Sequence, residues 1–174
     1  MGCKTGTLRP IASPKAEGTM VSNDILRSVR YILKCNNNDL VRILALADVE
    51  VTSADIAKWV TKEDEEGFVR CPDIIMSSFL NGLIYEKRGK DESTPALSPE
   101  RRINNNIVLK KLRIAFSLKT DDVLAILTEQ QFRVSLPEIT AMMRAPDHKN
   151  YRECGDQFLR YFLRGLTNRM HKKA

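Results

Sequence analysis

Residues 79–83 read FLNGL, and residues 162–166 read FLRGL. The two strings lie 83 positions apart, and the same shift overlays residues 23–83 on residues 106–166 without a gap. Apolar positions meet apolar positions along this overlap, which is typical of a structural unit that occurs more than once. A count of two favours a pseudo-symmetric pair over a long solenoid. The sequence therefore predicts a duplicated unit.

Each copy is predicted to contain four helices, which gives eight main helices in all. Apolar side chains follow the 3.6-residue period in the first helix of copy 1, and copy 2 repeats this stripe. Its members in copy 1 are Ile25, Leu26, Val29, Ile32 and Leu33. The third helix opens with a capping signal in both copies, because Thr52 precedes Asp55 by three positions and Ser135 precedes Glu138 by three. No segment shows convincing strand alternation, so the predicted fold class is all-α, with two tandem pseudo-symmetric four-helix units.

Composition divides the chain into four parts. Residues 1–19 are rich in Gly, Pro, Thr and Ser and lack periodicity, so they are predicted to be a disordered leader or a cloning remnant. Residues 20–85 form copy 1 of the helical repeat, and residues 106–174 form copy 2. Residues 86–105 are a polar connector with Gly, Pro and mixed charge.

The bulk composition predicts a folded, cytoplasmic protein. The chain has 174 residues, 43% of them hydrophobic and 29% charged, which is enough apolar material for a core. No apolar run approaches the roughly 18 residues that a membrane helix requires, and the start has no secretory signal, so no membrane association is expected. Four widely spaced cysteines and two histidines make a zinc site improbable, and neither a metal nor a cofactor is expected.

Three strings resemble a known family. They are SNDILRSVRY at residues 22–31, FLNGLIYEKRG at residues 79–89 and PDHKN at residues 146–150. In these strings the chain resembles the YehS-like family of small bacterial proteins, which carry a duplicated domain of unknown function. The resemblance covers the chain from Met20 to the C-terminus and implies a bacterial cytoplasmic protein with two domain copies. It implies no activity, cofactor or catalytic residue.

Two pairs of repeat-equivalent charged residues suggest a structural tie. Arg30 and Arg113 flank the stripe of the first helix in each copy, and Asp73 and Asp156 lie at the start of the fourth. We expect Arg30 to pair with Asp73, and Arg113 with Asp156, inside each copy. Ion pairs of this kind often fix geometry more than they add stability.

Two further pairs are interpreted as structural positions. Cys71 and Cys154 precede the fourth helix, where a thiol can become reactive. The Asp two residues later disfavours a thiolate, and cysteine is often simply buried, so we favour a structural role. Gly82 and Gly165 fall within or near the end of that helix, where glycine costs about 1 kcal/mol relative to alanine. We interpret both glycines as sites of close helix packing.

The motifs favour a non-enzymatic interaction or regulatory protein with an unknown protein partner, because no recognised catalytic motif is visible. The alternative is a nucleic-acid-binding protein that uses a helix-turn-helix-like part and a basic second copy. Residues 91–174 have 15 basic and 10 acidic side chains, whereas residues 20–90 have 10 and 11. The candidate polyanion-binding residues are Arg101, Arg102, Lys110, Lys111, Arg113, Arg144 and Lys149. An enzyme with an unfamiliar site between the copies is the third hypothesis.

Overall fold

The computed structural model describes residues 20–172, so the predicted leader, residues 1–19, lies outside the described residues. Within that range the chain forms eight helices and no strand, which confirms the all-α prediction. The helices of copy 1 are α1 (Ser22–Leu33), α2 (Asn37–Leu46), α3 (Ser53–Val60) and α4 (Asp73–Arg88). The helices of copy 2 are α5 (Asn105–Ala115), α6 (Thr120–Glu129), α7 (Leu136–Met142) and α8 (Asp156–Lys172).

The predicted caps of the third helices are present in both copies. The Asp55 amide donates to Thr52 Oγ1 at 3.1 Å, and the Thr52 amide donates back to Asp55 Oδ2 at 3.0 Å. The Ser135 amide donates to Glu138 Oε2 at 2.7 Å, and Glu138 returns a bond to Ser135 Oγ at 3.4 Å. Each box pairs two backbone N–H groups that the helix leaves free. These bonds lower the pKa of the Asp55 and Glu138 carboxyls.

The two copies share a single hydrophobic core. The last helix of copy 1, α4, packs on the first helix of copy 2, α5, and α8 packs in the same way on α1. This reciprocal packing places a pseudo-twofold axis between the copies. Neither copy encloses its own apolar faces, because the first and last helices of each are covered by the other copy.

A buried asparagine organises the same place in each copy. The Asn23 amide group donates to the carbonyls of Trp59 and Val69 at 3.0 and 2.8 Å, and its oxygen accepts from the Cys71 amide at 2.9 Å. This side chain therefore joins α1 to the end of α3 and to the segment that enters α4.

Asn106 makes the equivalent three bonds in copy 2. It donates to the carbonyls of Met142 and Arg152 at 3.0 and 2.8 Å, and it accepts from the Cys154 amide at 2.9 Å. All of these residues lie 83 positions after their counterparts in copy 1. The internal repeat therefore preserves hydrogen bonds as well as apolar positions.

Gly82 and Gly165 lie where helices meet, as predicted. A Cβ atom on Gly82 would lie 2.1 Å from the carbonyl oxygen of Ile43 on α2, and one on Gly165 would lie 2.5 Å from Ile126 Cγ2 on α6. Ile43 and Ile126 are themselves repeat-equivalent. The absence of a side chain lets α4 and α8 approach the second helix of their own copy.

The expected Arg–Asp pairs are wrong. Asp73 instead accepts from Ser22 Oγ at 3.4 Å and from the backbone amide of Ile103 at 3.1 Å. Asp156 accepts from the Asn105 side chain at 2.8 Å, and Asn105 is the repeat equivalent of Ser22. Arg30 lies eight residues beyond Ser22 on α1, which is about 12 Å along the helix axis. The aspartates thus join the first and fourth helices at their N-terminal ends, out of reach of the predicted arginines.

Candidate binding surface and the buried cysteines

The seven candidate polyanion-binding residues do not share one environment. Lys111 points into the protein, with an 11% exposed side chain that pairs with Glu100 at 3.0 Å and also contacts the Asn81 side-chain oxygen. Arg113 is half-buried and donates to the Leu118 carbonyl at 3.4 Å. These two residues therefore serve internal contacts.

Lys110 and Arg144 lie together. Lys110 Nζ donates to the Arg144 carbonyl at 3.1 Å, and the Arg144 guanidinium donates to the Asn150 carbonyl at 3.5 Å. Lys149 is exposed in the loop between Arg144 and Asn150. Arg101 and Arg102 are exposed on the connector before α5. The structure therefore brings Lys110 and Arg144 together, and among residues 20–172 no hydrogen bond or ion pair joins them to Lys149, Arg101 or Arg102.

A shallow groove of about 570 Å³ runs between α7 and the loop that follows it. Its lining combines apolar contributions from Pro137, Ala141 and Tyr151 with the charged side chains of Arg144, Arg152 and Glu138. Arg152 is held by an ion pair of 2.8 Å with Glu138, the residue that closes the α7 capping box. The sequence indicated Arg144, but Tyr151 and Arg152 gave no recognisable signal because they lie in a loop without periodicity.

The same place in copy 1 has the opposite charge. Residues 61–70, after α3, contain two basic and four acidic side chains, whereas residues 144–153, after α7, contain three basic and two acidic ones. Ala141 in the groove has Lys58 as its counterpart, and Arg152 has the exposed Val69. The two copies thus share their interior and differ on this face.

Cys71 and Cys154 are buried behind these loops. Burial, with a smaller contribution from Asp73 or Asp156, raises the pKa of each thiol from 9.0 to about 12. Each Sγ lies within weak hydrogen-bond range of a backbone carbonyl, that of Pro72 at 3.6 Å or Gly155 at 3.7 Å. Both cysteines are therefore neutral at physiological pH, which agrees with a structural role.

Cys71 and Cys154 should resist alkylation in the folded protein. A pKa about three units higher lowers the thiolate fraction at pH 8 by about 1000-fold, and burial blocks access as well. Among the three described cysteines, iodoacetamide labelling read by peptide mass spectrometry should modify half-buried Cys35 first and both buried thiols only in denaturant. Because the folded pKa is raised, the stabilising effect of these thiols is complete below pH 9 and is lost as pH rises towards 12. Rapid labelling of either thiol at pH 8 without denaturant would contradict the structural role.

His148 lies in the PDHKN string at residues 146–150. It is exposed in the loop after α7, and its Nδ1 accepts from the Asn150 amide at 3.0 Å. Within the same residues, no group of three or more His, Cys, Asp or Glu side chains is placed to hold a metal ion. None of the eight described helices combines the length and apolarity needed to cross a bilayer.

Comparison with known proteins gives a family and a relative. The profile of a family described as "Protein of unknown function (DUF1456)" matches residues 22–89 and again residues 105–171. A relative from Escherichia coli (strain K12), "Uncharacterized protein YehS", is 85% identical over 154 residues, which cover 88% of this chain and 99% of the relative. No solved structure matches the chain. Two matches of the profile agree with the duplicated helices and with the resemblance seen in the sequence, and the chain therefore belongs to the DUF1456 family, whose domain it contains twice.

Proposed function

We propose that this protein is a non-catalytic helical interaction protein that binds a partner protein through the groove beside α7. The observation that supports this most is the difference between the two copies on one face. The buried asparagine, the packed glycine and the third-helix caps are repeated in both copies. The arginines of the groove are not repeated, because Arg144 and Arg152 have Thr61 and Val69 as their counterparts in copy 1, so the shared fold does not require them.

The chemistry of the groove favours an acidic segment as its ligand. Arg144 can donate to a carboxylate in a forked geometry, and Arg152, which is paired with Glu138, adds a second positive charge to the groove. Tyr151 adds apolar area with a polar end. Protein-binding sites are commonly rich in arginine and tyrosine. The groove is shallow and open, which suits an extended or helical segment of another protein better than a small molecule that must be enclosed.

The proposed location is the bacterial cytoplasm. The three cysteines of the described residues are free thiols, and two of them are buried in the core. Free thiols agree with a reducing compartment. The relative from Escherichia coli supports a bacterial source.

Charge reversal in the groove should abolish partner binding. We expect the Arg144→Glu/Arg152→Glu double variant to retain less than about a tenth of the partner recovered with the wild-type protein, because like charges would then face an acidic segment. The measurement is quantitative affinity purification from native cells, with and without nuclease. A Lys62→Glu/Arg70→Glu variant, which makes the same charge change on the copy 1 loop, is the matched control.

Each outcome of this purification decides the proposal. A partner that is lost only with the groove variant and withstands nuclease supports it. A partner recovered equally with all three proteins contradicts it. Recovery that depends on nucleic acid, with binding to mixed DNA and RNA that weakens as salt rises, would favour the nucleic-acid alternative.

A further inference from the structure

We propose that a pocket between α1 and α8 is a binding site for a small oxyanion, a carboxylate or a phosphate group. The pocket has a volume of about 180 Å³, and two arginines, Arg160 and Arg164, lie on its α8 side. Ser28 and Tyr31 line it from α1, and Thr167 lies one turn further along α8. It lies apart from the α7 groove, and no residue is common to the two. The two proposals are therefore independent.

The argument comes from the pseudo-symmetric position, between α4 and α5. There the protein itself supplies a carboxylate, Glu100, which pairs with Lys111 Nζ at 3.0 Å. Glu100 also accepts from the hydroxyl of Ser77, and its own amide donates to that hydroxyl at 2.9 Å. Burial alone would raise the pKa of Glu100, but the bonds from Ser77 and Lys111 hold it below its usual value. This inter-copy junction is thus built around an anion.

The α1–α8 pocket is formed by the repeat equivalents of those residues. Arg160 takes the place of Ser77, Arg164 that of Asn81, and Ser28 that of Lys111. Both junctions therefore have hydrogen-bond donors on each of their two helices. The α4–α5 junction has one positive charge, on the first helix of copy 2, whereas the α1–α8 junction has two, on the last helix of copy 2. None of the described residues that line the pocket is acidic.

Among residues 20–172, neither arginine is paired with a carboxylate. Neither forms an ion pair or a hydrogen bond with another residue in the range 20–172, and Arg164 only lies over the Tyr161 ring, 5.1 Å from its centroid. The two residues are four positions apart, so they project from the same face of α8. Two guanidinium groups on one face repel each other and bind oxyanions through paired N–H donors. The floor includes Leu163, which is 4% exposed, so the anion would be partly shielded from water.

Anion titration monitored by amide NMR tests this site. Succinate and inorganic phosphate are added separately to the full chain at low ionic strength, with sodium chloride as the ionic-strength control. We expect saturable shifts centred on Ser28, Tyr31 and Thr167, at least about tenfold weaker in the Arg160→Gln/Arg164→Gln variant. The matched control, Arg70→Gln/Arg133→Gln, loses two exposed arginines elsewhere and should bind as the wild type does.

Saturable binding of either anion with this dependence on α8 supports the proposal, and the stronger of the two identifies carboxylate or phosphate as the preferred group. Shifts that are spread over the surface, or that chloride reproduces, overturn it. A Glu17→Gln variant tests whether the chain supplies its own carboxylate to this pocket. Glu17 is the repeat equivalent of Glu100, since Glu17 precedes Met20 by three residues as Glu100 precedes Ile103. If only this variant binds the added anion, the pocket is reserved for the chain's own carboxylate, and the proposal of an external ligand is wrong.

Discussion

Asn106→Ala is expected to lower the free energy of unfolding by about 4 kcal/mol, because it removes three hydrogen bonds at once. The substitution leaves the buried Cys154 amide without an acceptor and the Met142 carbonyl without a donor. Each buried polar group left unpaired costs about 1–3 kcal/mol. Asn23→Ala should cost slightly less, about 3 kcal/mol, since only one of its three bonds is fully buried.

Urea unfolding followed by circular dichroism measures both losses. Asn168→Ala, at an exposed position on α8, is the control and should change stability by less than about 0.5 kcal/mol. Asn106→Asp tests the donated bonds separately from the accepted one. It keeps an acceptor for the Cys154 amide, but it turns a carboxylate oxygen towards the two carbonyls to which Asn106 donates. It should therefore be destabilised as well. Stability within 1 kcal/mol of wild type for Asn106→Ala would contradict the role given to this asparagine.

Gly82→Ala should reduce the free energy of unfolding by at least about 2 kcal/mol, even though alanine has a higher helix propensity than glycine. Alanine favours the helix by about 1 kcal/mol. However, its Cβ would lie 2.1 Å from a backbone oxygen of α2, which cannot rotate away, so α2 and α4 must separate. Overpacking of a core commonly costs 1–3 kcal/mol and sometimes more. For a chain of this size, the midpoint of thermal unfolding should fall by about 6 °C.

Gly165→Ala and Gly155→Ala complete this comparison. The nearest atom at Gly165 is a side-chain methyl of Ile126, at 2.5 Å, with the backbone oxygen at 3.0 Å, so part of the strain can relax and the loss should be smaller. Gly155 has no atom within 4 Å of the position of a Cβ, and its substitution should be nearly neutral. Differential scanning calorimetry should place the melting temperatures in the order Gly155→Ala, Gly165→Ala, Gly82→Ala, from highest to lowest. A stabilised Gly82→Ala protein would contradict the close approach.

The helical fold follows from local patterns in the sequence. The stripe of α1 and the boxes at Thr52 and Ser135 are short-range signals, and they predicted both the type of element and the position at which α3 and α7 begin. The 83-residue register predicted which positions are equivalent. It also marked Gly82 as a place of close packing, since a glycine that costs helix stability twice requires a reason.

The tertiary partners could not be predicted in this way. The repeat shows that Asp73 and Asp156 occupy equivalent positions. It does not show that Ser22 lies opposite Asp73, or that Arg30 lies two helical turns beyond Ser22. The pairing depends on how α1 and α4 are aligned along their lengths. The helical period of the apolar residues does not predict this alignment. The role of Asn23 could not be predicted for the same reason, because its partners are two backbone carbonyls and a backbone amide, which carry no mark in the sequence.

The two candidate sites also depend on contacts between separate segments of the chain. The α7 groove needs a loop to fold back on its helix, and only Arg144 stood out in the sequence. The α1–α8 pocket needs the two copies to be docked, which places Ser28 and Arg160 on opposite sides of one space. Arg160 and Arg164 gave no signal of a binding site in the sequence, because they lie on a mixed, amphipathic helix and form no run of charge.

The packing of the first helix of each copy on the last helix of the other has a consequence for the origin of this chain. A gene encoding one copy alone would produce a polypeptide with two uncovered apolar faces, and a second identical polypeptide would cover both by the same twofold arrangement. Its folding would then vary with protein concentration. Fusing the two genes through residues 89–104 makes that association intramolecular, so that dilution no longer separates the halves. Fusion also frees each half to mutate alone, so one can become acidic where the other becomes basic, an asymmetry that a true homodimer cannot encode.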